Sequence, residues 1–193
     1  MILSGQEILQ RMGNEIRIDP FSPDRLNPNS YNLALHNELL VYEEVVLDSA
    51  TPNRYRRIPI PQEGITLQPG QLYLGRTVET TETTTLVPMI QGRSSLGRLG
   101  LFLNPGGSLG HAGYCGTWTL EMHCVQPVRI YPAIEVCQIF YLQLTGAHDA
   151  YCSRDKYQNS CDIQPSLLHR ELGFDDRDTQ LELTFEEAIR STQ

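Results

Sequence analysis

The chain has no apolar run of the roughly 18 residues that a membrane helix requires. Its opening, MILSGQEILQ, has no basic segment followed by a long apolar one. Neither a spanning helix nor a secretory leader is therefore expected, and the expected location is the cytoplasm. Positive charge is also short: 15 Lys and Arg stand against 23 Asp and Glu, a formal charge of −8. A broad nucleic-acid footprint needs a basic face and is excluded. A small anionic ligand is not, because a few converging arginines or a bound cation outweigh a distant acidic surface.

Several familiar sites are missing. Five cysteines, at 115, 124, 137, 152 and 161, make an odd set with no CxxC pair. A disulfide framework and a zinc knuckle are both disfavoured, leaving reduced thiols, mostly buried. There is no Walker loop, and the glycines at 107, 110 and 113 lack the flanking strand and helix of a dinucleotide fingerprint. His169-Arg170-Glu171 matches half of the H-x-E and P-C-x-x-C signature of zinc hydrolases acting on bases, but the cysteine pair is absent, so no zinc is expected.

What is present is an ordinary globular composition, 40 % apolar over 193 residues, enough for one domain with a real core. Ser4-Gly5-Gln6-Glu7 has the form of a capping box, Ser4 bonding the Glu7 amide and Glu7 reaching back to Ser4. Ile8, Leu9 and Met12 follow at helical spacing before Gly13, which predicts a short first helix. From there to about residue 145 the segments are short, β-branched and aromatic, and punctuated by Pro and Gly. Strands are expected at 31–35, 38–41, 65–67, 72–80, 86–91, 117–123, 128–130 and 136–144. No helical pattern intervenes to make parallel crossovers, so the fold class is mostly β, a sandwich or barrel. The threonine run at 80–85 reads as an edge strand. Past Gly146 the chain is polar and aperiodic and reads as a mobile tail that orders over something. A second capping box at Thr184-Phe185-Glu186-Glu187 opens a helix to about residue 191, after an acidic linker beginning at 172. The expected organisation is one domain over 1–171 and an extension over 172–193.

The chemistry concentrates in 91–124, QGRSSLGRLGLFLNPGGSLGHAGYCGTWTLEMHC. Arg93, Ser94, Ser95 and Arg98 put two guanidiniums and two hydroxyls within six residues, with no carboxylate nearby in sequence to absorb them. That set suits a phosphate chain, the plain alternative being a turn with surface arginines. A loop with five glycines follows, and then Glu121. Strand alternation puts Trp118, Leu120 and Met122 on one face and Thr119, Glu121 and His123 on the other. Glu121 is either a solvated strand residue or a carboxylate placed for proton transfer.

The segments GRSSLGRLGLF, AGYCG followed by TLE, MILSGQEI, LNPNSYNLAL, and KYQN with IQPSLLH together resemble the deoxycytidine triphosphate deaminases, of the superfamily that also holds the trimeric deoxyuridine triphosphatases. The resemblance spans roughly residues 1–170. It implies a distorted β-barrel or jelly-roll with short terminal helices, and a homotrimer with sites between neighbours. It also implies hydrolytic loss of the cytosine amino group, with magnesium riding on the triphosphate and no metal in the chemical step. On that resemblance Glu121 is the general acid and base, and Ser94 and Arg98 orient the water and the base. Arg93 and Ser95 hold phosphates, with Lys156, Tyr157 and Gln158 closing over them. Tyr114 packs on the deoxyribose and disfavours a ribose hydroxyl.

The chain also departs from that family. Asn104-Pro105-Gly106-Gly107 replaces a His-Val-Thr-Ala type segment, His111 replaces an aspartate that contacts the sugar, and Asn32 replaces another aspartate. Retained Glu121, Ser94 and Arg98 favour deamination to dUTP. The alternatives are a bifunctional enzyme that also cleaves the triphosphate to dUMP, and a non-catalytic or retuned binder of pyrimidine nucleotides.

Overall fold

A computed structural model of the chain describes residues 1–105, 108–147 and 156–172. The first helix, α1 (Gly5–Arg11), opens as its capping box predicts, the Ser4 hydroxyl accepting from the Glu7 amide at 3.2 Å. The reciprocal half is not made. The Glu7 carboxylate instead accepts from Arg11 Nε at 2.8 Å, a charged partner one turn on that outcompetes a neutral amide. Ile8, fully buried, fixes the inner face of α1.

Strands then dominate: β1 (Ile16–Asp19), β2 (Tyr31–Ala34), β3 (Glu38–Tyr42), β4 (Tyr55–Pro59), β5 (Ile65–Leu67), β6 (Tyr73–Arg76), β7 (Thr80–Thr83) and β8 (Leu86–Gly92). A four-residue helix, α2 (Ser94–Gly97), precedes β9 (Leu101–Pro105), β10 (Cys115–Gly116), β11 (Thr119–Cys124), β12 (Val128–Ile130), β13 (Glu135–Gln143) and a terminal helical turn, α3 (His169–Leu172). Among the described residues the strands make four antiparallel sheets, ordered β1-β7-β10, β4-β3-β6-β11-β9, β12-β5 and β2-β13-β8. The mostly-β expectation holds, as stacked sheets of jelly-roll type and not one closed ladder. One large core lies between them, with Leu33, Leu39, Leu67, Leu120, Ile139 and Tyr141 fully buried. No described helix is long and apolar enough to cross a membrane.

Two expectations are corrected. The strand expected at 72–80 breaks after Arg76, where the chain leaves one sheet for another. At the break the Thr77 hydroxyl accepts from the Trp118 amide and donates to the Glu79 carbonyl. The threonine run is central, not an edge: β7 lies between β1 and β10. Thr81 and Thr83 are buried with their hydroxyls bonded, Thr81 accepting from Trp118 Nε1 and Thr83 donating to the Leu86 carbonyl. Threonine suits such a strand because its branched side chain packs like valine while its hydroxyl completes bonds that valine leaves open.

The tail is partly described. Residues 156–172 lie on the body, Ile163 being buried in a small cluster with Leu40 and Leu74, and Asp162 bonding Arg57 of β4 at 2.6 Å. Ser160 bridges Gly116 backbone to backbone. Leu172, where the linker is expected to begin, closes α3; the rest of the expected linker and its helix lie outside the described residues, as does Cys152. Of the other cysteines, Cys124 and Cys137 are buried, Cys115 is half-buried and Cys161 is exposed.

Candidate active site

Strand β11 alternates as expected. Leu120, Met122 and Cys124 point into the core, while Thr119 and Glu121 are half-buried and His123 is exposed. Glu121 sits opposite Leu74 on β6 and Asn104 on β9, so its side chain emerges between two paired strands. It faces a cavity of about 560 Å³. Burial pushes the Glu121 carboxyl above its ordinary value, and among the described residues no opposing charge pulls it back.

The loop before β11 shapes one wall. Ser108 and Gly110 are laced to β8, Ile90 N donating to the Ser108 carbonyl at 2.9 Å and Gly110 N to the Pro88 carbonyl at 2.8 Å. Gly110 passes flush over Trp118, since a Cβ there would lie 2.5 Å from the indole. Tyr114 stacks at a tilt on Trp118, centroids 4.6 Å apart, and its hydroxyl donates to the Thr117 carbonyl at 2.7 Å. Both Tyr114 and the exposed His111 line the cavity.

The tail supplies another wall, bringing Tyr157, Ser160, Gln164 and Leu168 to the same cavity. Gln158 instead clamps the glycine loop: its carboxamide donates to the Gly113 carbonyl at 2.7 Å and accepts from the Cys115 amide at 2.9 Å. Lys156 pairs with Glu171 of α3 and lies 5.3 Å from the centre of the Tyr157 ring. Gly116, at φ +150°, allows this docking, because a Cβ would stand 2.9 Å from the Ser160 carbonyl. Gly116→Ala is accordingly expected to lift 156–168 off the body, at a cost of about 1–3 kcal/mol. Faster proteolytic cleavage within the tail and a lower melting temperature are the readouts.

The cationic end lies elsewhere on the chain. Leu96 packs α2 onto the core and leaves Ser94, Ser95 and Arg98 exposed. None of these, nor Arg93, is on the cavity wall. Arg93 does meet a carboxylate, contrary to the local sequence: its Nη1 donates to Glu135 Oε2 at 2.9 Å. The wall carries Asp48 besides Glu121 and no Lys or Arg among the described residues. Asp48, in the loop joining β3 and β4, has no motif that marks it in the sequence. Gln164 lies within the IQPSLLH segment, where only the resemblance drew attention to it.

An antiparallel fold with a desolvated glutamate on an aromatic-walled cavity is thus in place. A sequence profile described as dCTP deaminase-like matches residues 2–144, and the chain belongs to that family. Among individual relatives, it is 76 % identical over 192 residues to a dCTP deaminase of Rhodopirellula baltica, covering 100 % of this chain and 96 % of that one. It is 57 % identical over 171 residues to a dUMP-forming dCTP deaminase of Hathewaya histolytica, covering 89 % and 99 %. The crystal structure of 2'-deoxycytidine 5'-triphosphate deaminase from Agrobacterium tumefaciens superposes with a TM-score of 0.59 at 20 % identity, a likeness of fold. The match covers 72 % of this chain and 47 % of that one, so the chain spans about half of its length.

Proposed function

We propose that the chain deaminates dCTP hydrolytically, giving dUTP and ammonia. The observation that carries the proposal is Glu121, a half-buried carboxylate with no Lys or Arg beside it among the described residues on the wall of a nucleoside-sized cavity. A carboxylate with a raised pKa is a stronger base than an ordinary one, which suits it to take a proton and then return it. Water attacks the ring carbon that bears the amino group, and Glu121 takes the proton. It then delivers that proton to the departing nitrogen as the C–N bond breaks, and the second proton of the water moves from the new hydroxyl to the adjacent ring nitrogen, leaving the ring carbonyl. Tyr114, braced by Trp118 and Thr117, supplies the flat wall for the deoxyribose and disfavours a ribose hydroxyl.

A triphosphate needs cations, and the described residues of this cavity wall include no Lys or Arg, whereas α2 and the residue after it expose the Ser94 and Ser95 hydroxyls and the Arg98 guanidinium. The two halves complement each other across a seam between copies, as in a homotrimer. Arg98 and Ser94 of a neighbour then orient the water and base, while Arg93 and Ser95 hold phosphates. Lys156 and Tyr157 close over the triphosphate. Gln158 assists through its clamp on the loop that carries Tyr114. Among the described residues no group of three or more His, Cys, Asp or Glu is gathered to hold a metal. Magnesium enters with the triphosphate, as part of the substrate, and screens its charge.

The test is ammonia release from dCTP and magnesium as a function of pH. Glu121 must be ionised to take the proton, so kcat/KM falls as pH drops. Because burial raises the Glu121 pKa, that acid limb is expected above the ~4.3 of an ordinary glutamate. Absence of ammonia across cytosine mono- and triphosphates, with nucleotide still bound, selects the non-catalytic binder. The relatives named dUMP-forming at 57 % and 55 % identity favour one further reading, a second step that cleaves the triphosphate. Pyrophosphate appearing with the uracil product identifies it.

A further inference from the structure

Glu135 belongs to no motif singled out in the sequence, yet it is the hub of a charged network behind the phosphate end. Arg93 Nη1 donates to the Glu135 carboxylate at 2.9 Å and to the Glu135 carbonyl at 3.2 Å, and the Arg93 amide donates to the Val136 carbonyl at 3.0 Å. The same oxygen, Oε2, also accepts from Asn32 Nδ2 at 2.8 Å, and Asn32 Oδ1 accepts from Asn27 at 2.8 Å. Arg25 Nε approaches the second Glu135 oxygen at 3.8 Å.

The backbone explains why Glu135 reaches this place. On β13, Cys137, Ile139 and Tyr141 are buried, and residue 135 shares their parity. A regular strand would send it into the core with them. Instead, the register against β2 slips between Glu135 and Cys137, so Val136 is an extra residue and Val136 and Cys137 are buried in succession. Such bulges re-aim a side chain, and this one turns Glu135 out toward Arg93.

We infer that Glu135 is a positioning residue, aiming the Arg93 guanidinium so that Nε and Nη2 face the phosphates while Nη1 stays bound to the protein. This rests on the proposed phosphate role of Arg93. A guanidinium fixed by one edge is already ordered when the anion arrives, so binding does not have to freeze a long side chain. Asn32 strengthens the arrangement, because an amide donates to Glu135 where a carboxylate would repel it.

Steady-state kinetics with dCTP tests the inference. Glu135→Gln is expected to raise KM about three- to tenfold, the range for re-ordering one long side chain, with kcat within about twofold. In an Arg93→Ala background the same change is expected to have no further effect on KM. A general structural role would not give that split or vanish with Arg93; thermal melts identify any variant that unfolds. An unchanged or lowered KM in Glu135→Gln, or an undiminished effect beside Arg93→Ala, overturns the inference while leaving the phosphate role intact. An Arg93→Ala protein whose own KM is unchanged removes the phosphate role itself, and Glu135's with it.

Discussion

Glu121→Gln is expected to lower ammonia release from dCTP by about 10²–10⁴-fold, the usual span for a positioned acid and base. Glutamine keeps the shape and the hydrogen-bonding reach of the side chain, so nucleotide affinity, measured by calorimetry, should stay within a few-fold. What is lost is the site that gains and returns a proton. Stability supplies an independent readout. Burial raises the Glu121 pKa, so ionising the carboxylate costs the folded state free energy. That cost is present above the folded-state pKa and absent below the unfolded one. The neutral amide carries no such cost, and at pH 7 the variant should melt at the same temperature or higher. Turnover equal to the parent protein's would remove Glu121 from the chemistry. Lost turnover with lost stability would mean that the substitution damaged the fold.

Glu121 was legible because a strand's alternation is local: once 117–123 reads as β, Leu120 and Met122 must face inward and Glu121 must not. Its desolvation was not legible, since that comes from β6, β9 and the tail, far away in sequence. The Arg93 to Arg98 cluster shows the same limit. Its donor-rich composition was evident, but the carboxylate that engages Arg93 lies 42 residues on. Gln158 was expected on phosphates through family position alone. Its carboxamide, with a donor and an acceptor, fits the backbone of the Gly113–Cys115 turn at both ends.

The fold divides similarly. Apolar strands such as β8 and β13 announce themselves by alternation, and the structure has them within a residue or so of the expected bounds. β4, Tyr-Arg-Arg-Ile-Pro, does not: it is an edge strand with little buried surface, and its pairing with β3 defines it more than its own composition. The threonine run misled because hydroxyls suggest solvent, whereas here they are bonded inside a sheet.

The second large effect is expected at Glu79, whose side chain is fully buried and which titrates outside any proposed chemistry. One carboxylate oxygen accepts from Arg25 and the other from the Ala34 amide at 2.9 Å. Glu79 thereby joins β2 to the crossing between β6 and β7 and holds a guanidinium that also approaches Glu135. Glu79→Ala leaves a buried amide without an acceptor, a guanidinium without its partner, and a cavity. Breaking a buried pair from one side costs about 3–5 kcal/mol, and the lower end applies because Arg25 is a quarter exposed and hydrates in part. For a chain of this size about 3 kcal/mol corresponds to a melting temperature lower by roughly 6–12 °C. The pH dependence has the opposite sign from that of an ordinary surface ion pair. Burial outweighs the backbone bonds and Arg25 and raises the Glu79 pKa, so the folded state holds this proton more tightly than the unfolded chain does. The carboxyl's contribution is therefore full below the unfolded value near ~4.3 and declines as pH climbs through the raised folded value. The loss of stability in Glu79→Ala should accordingly be larger at pH 5 than at pH 8. Melting curves at both pH values check this. A difference that grows with pH would mean that Arg25, and not burial, governs the carboxyl.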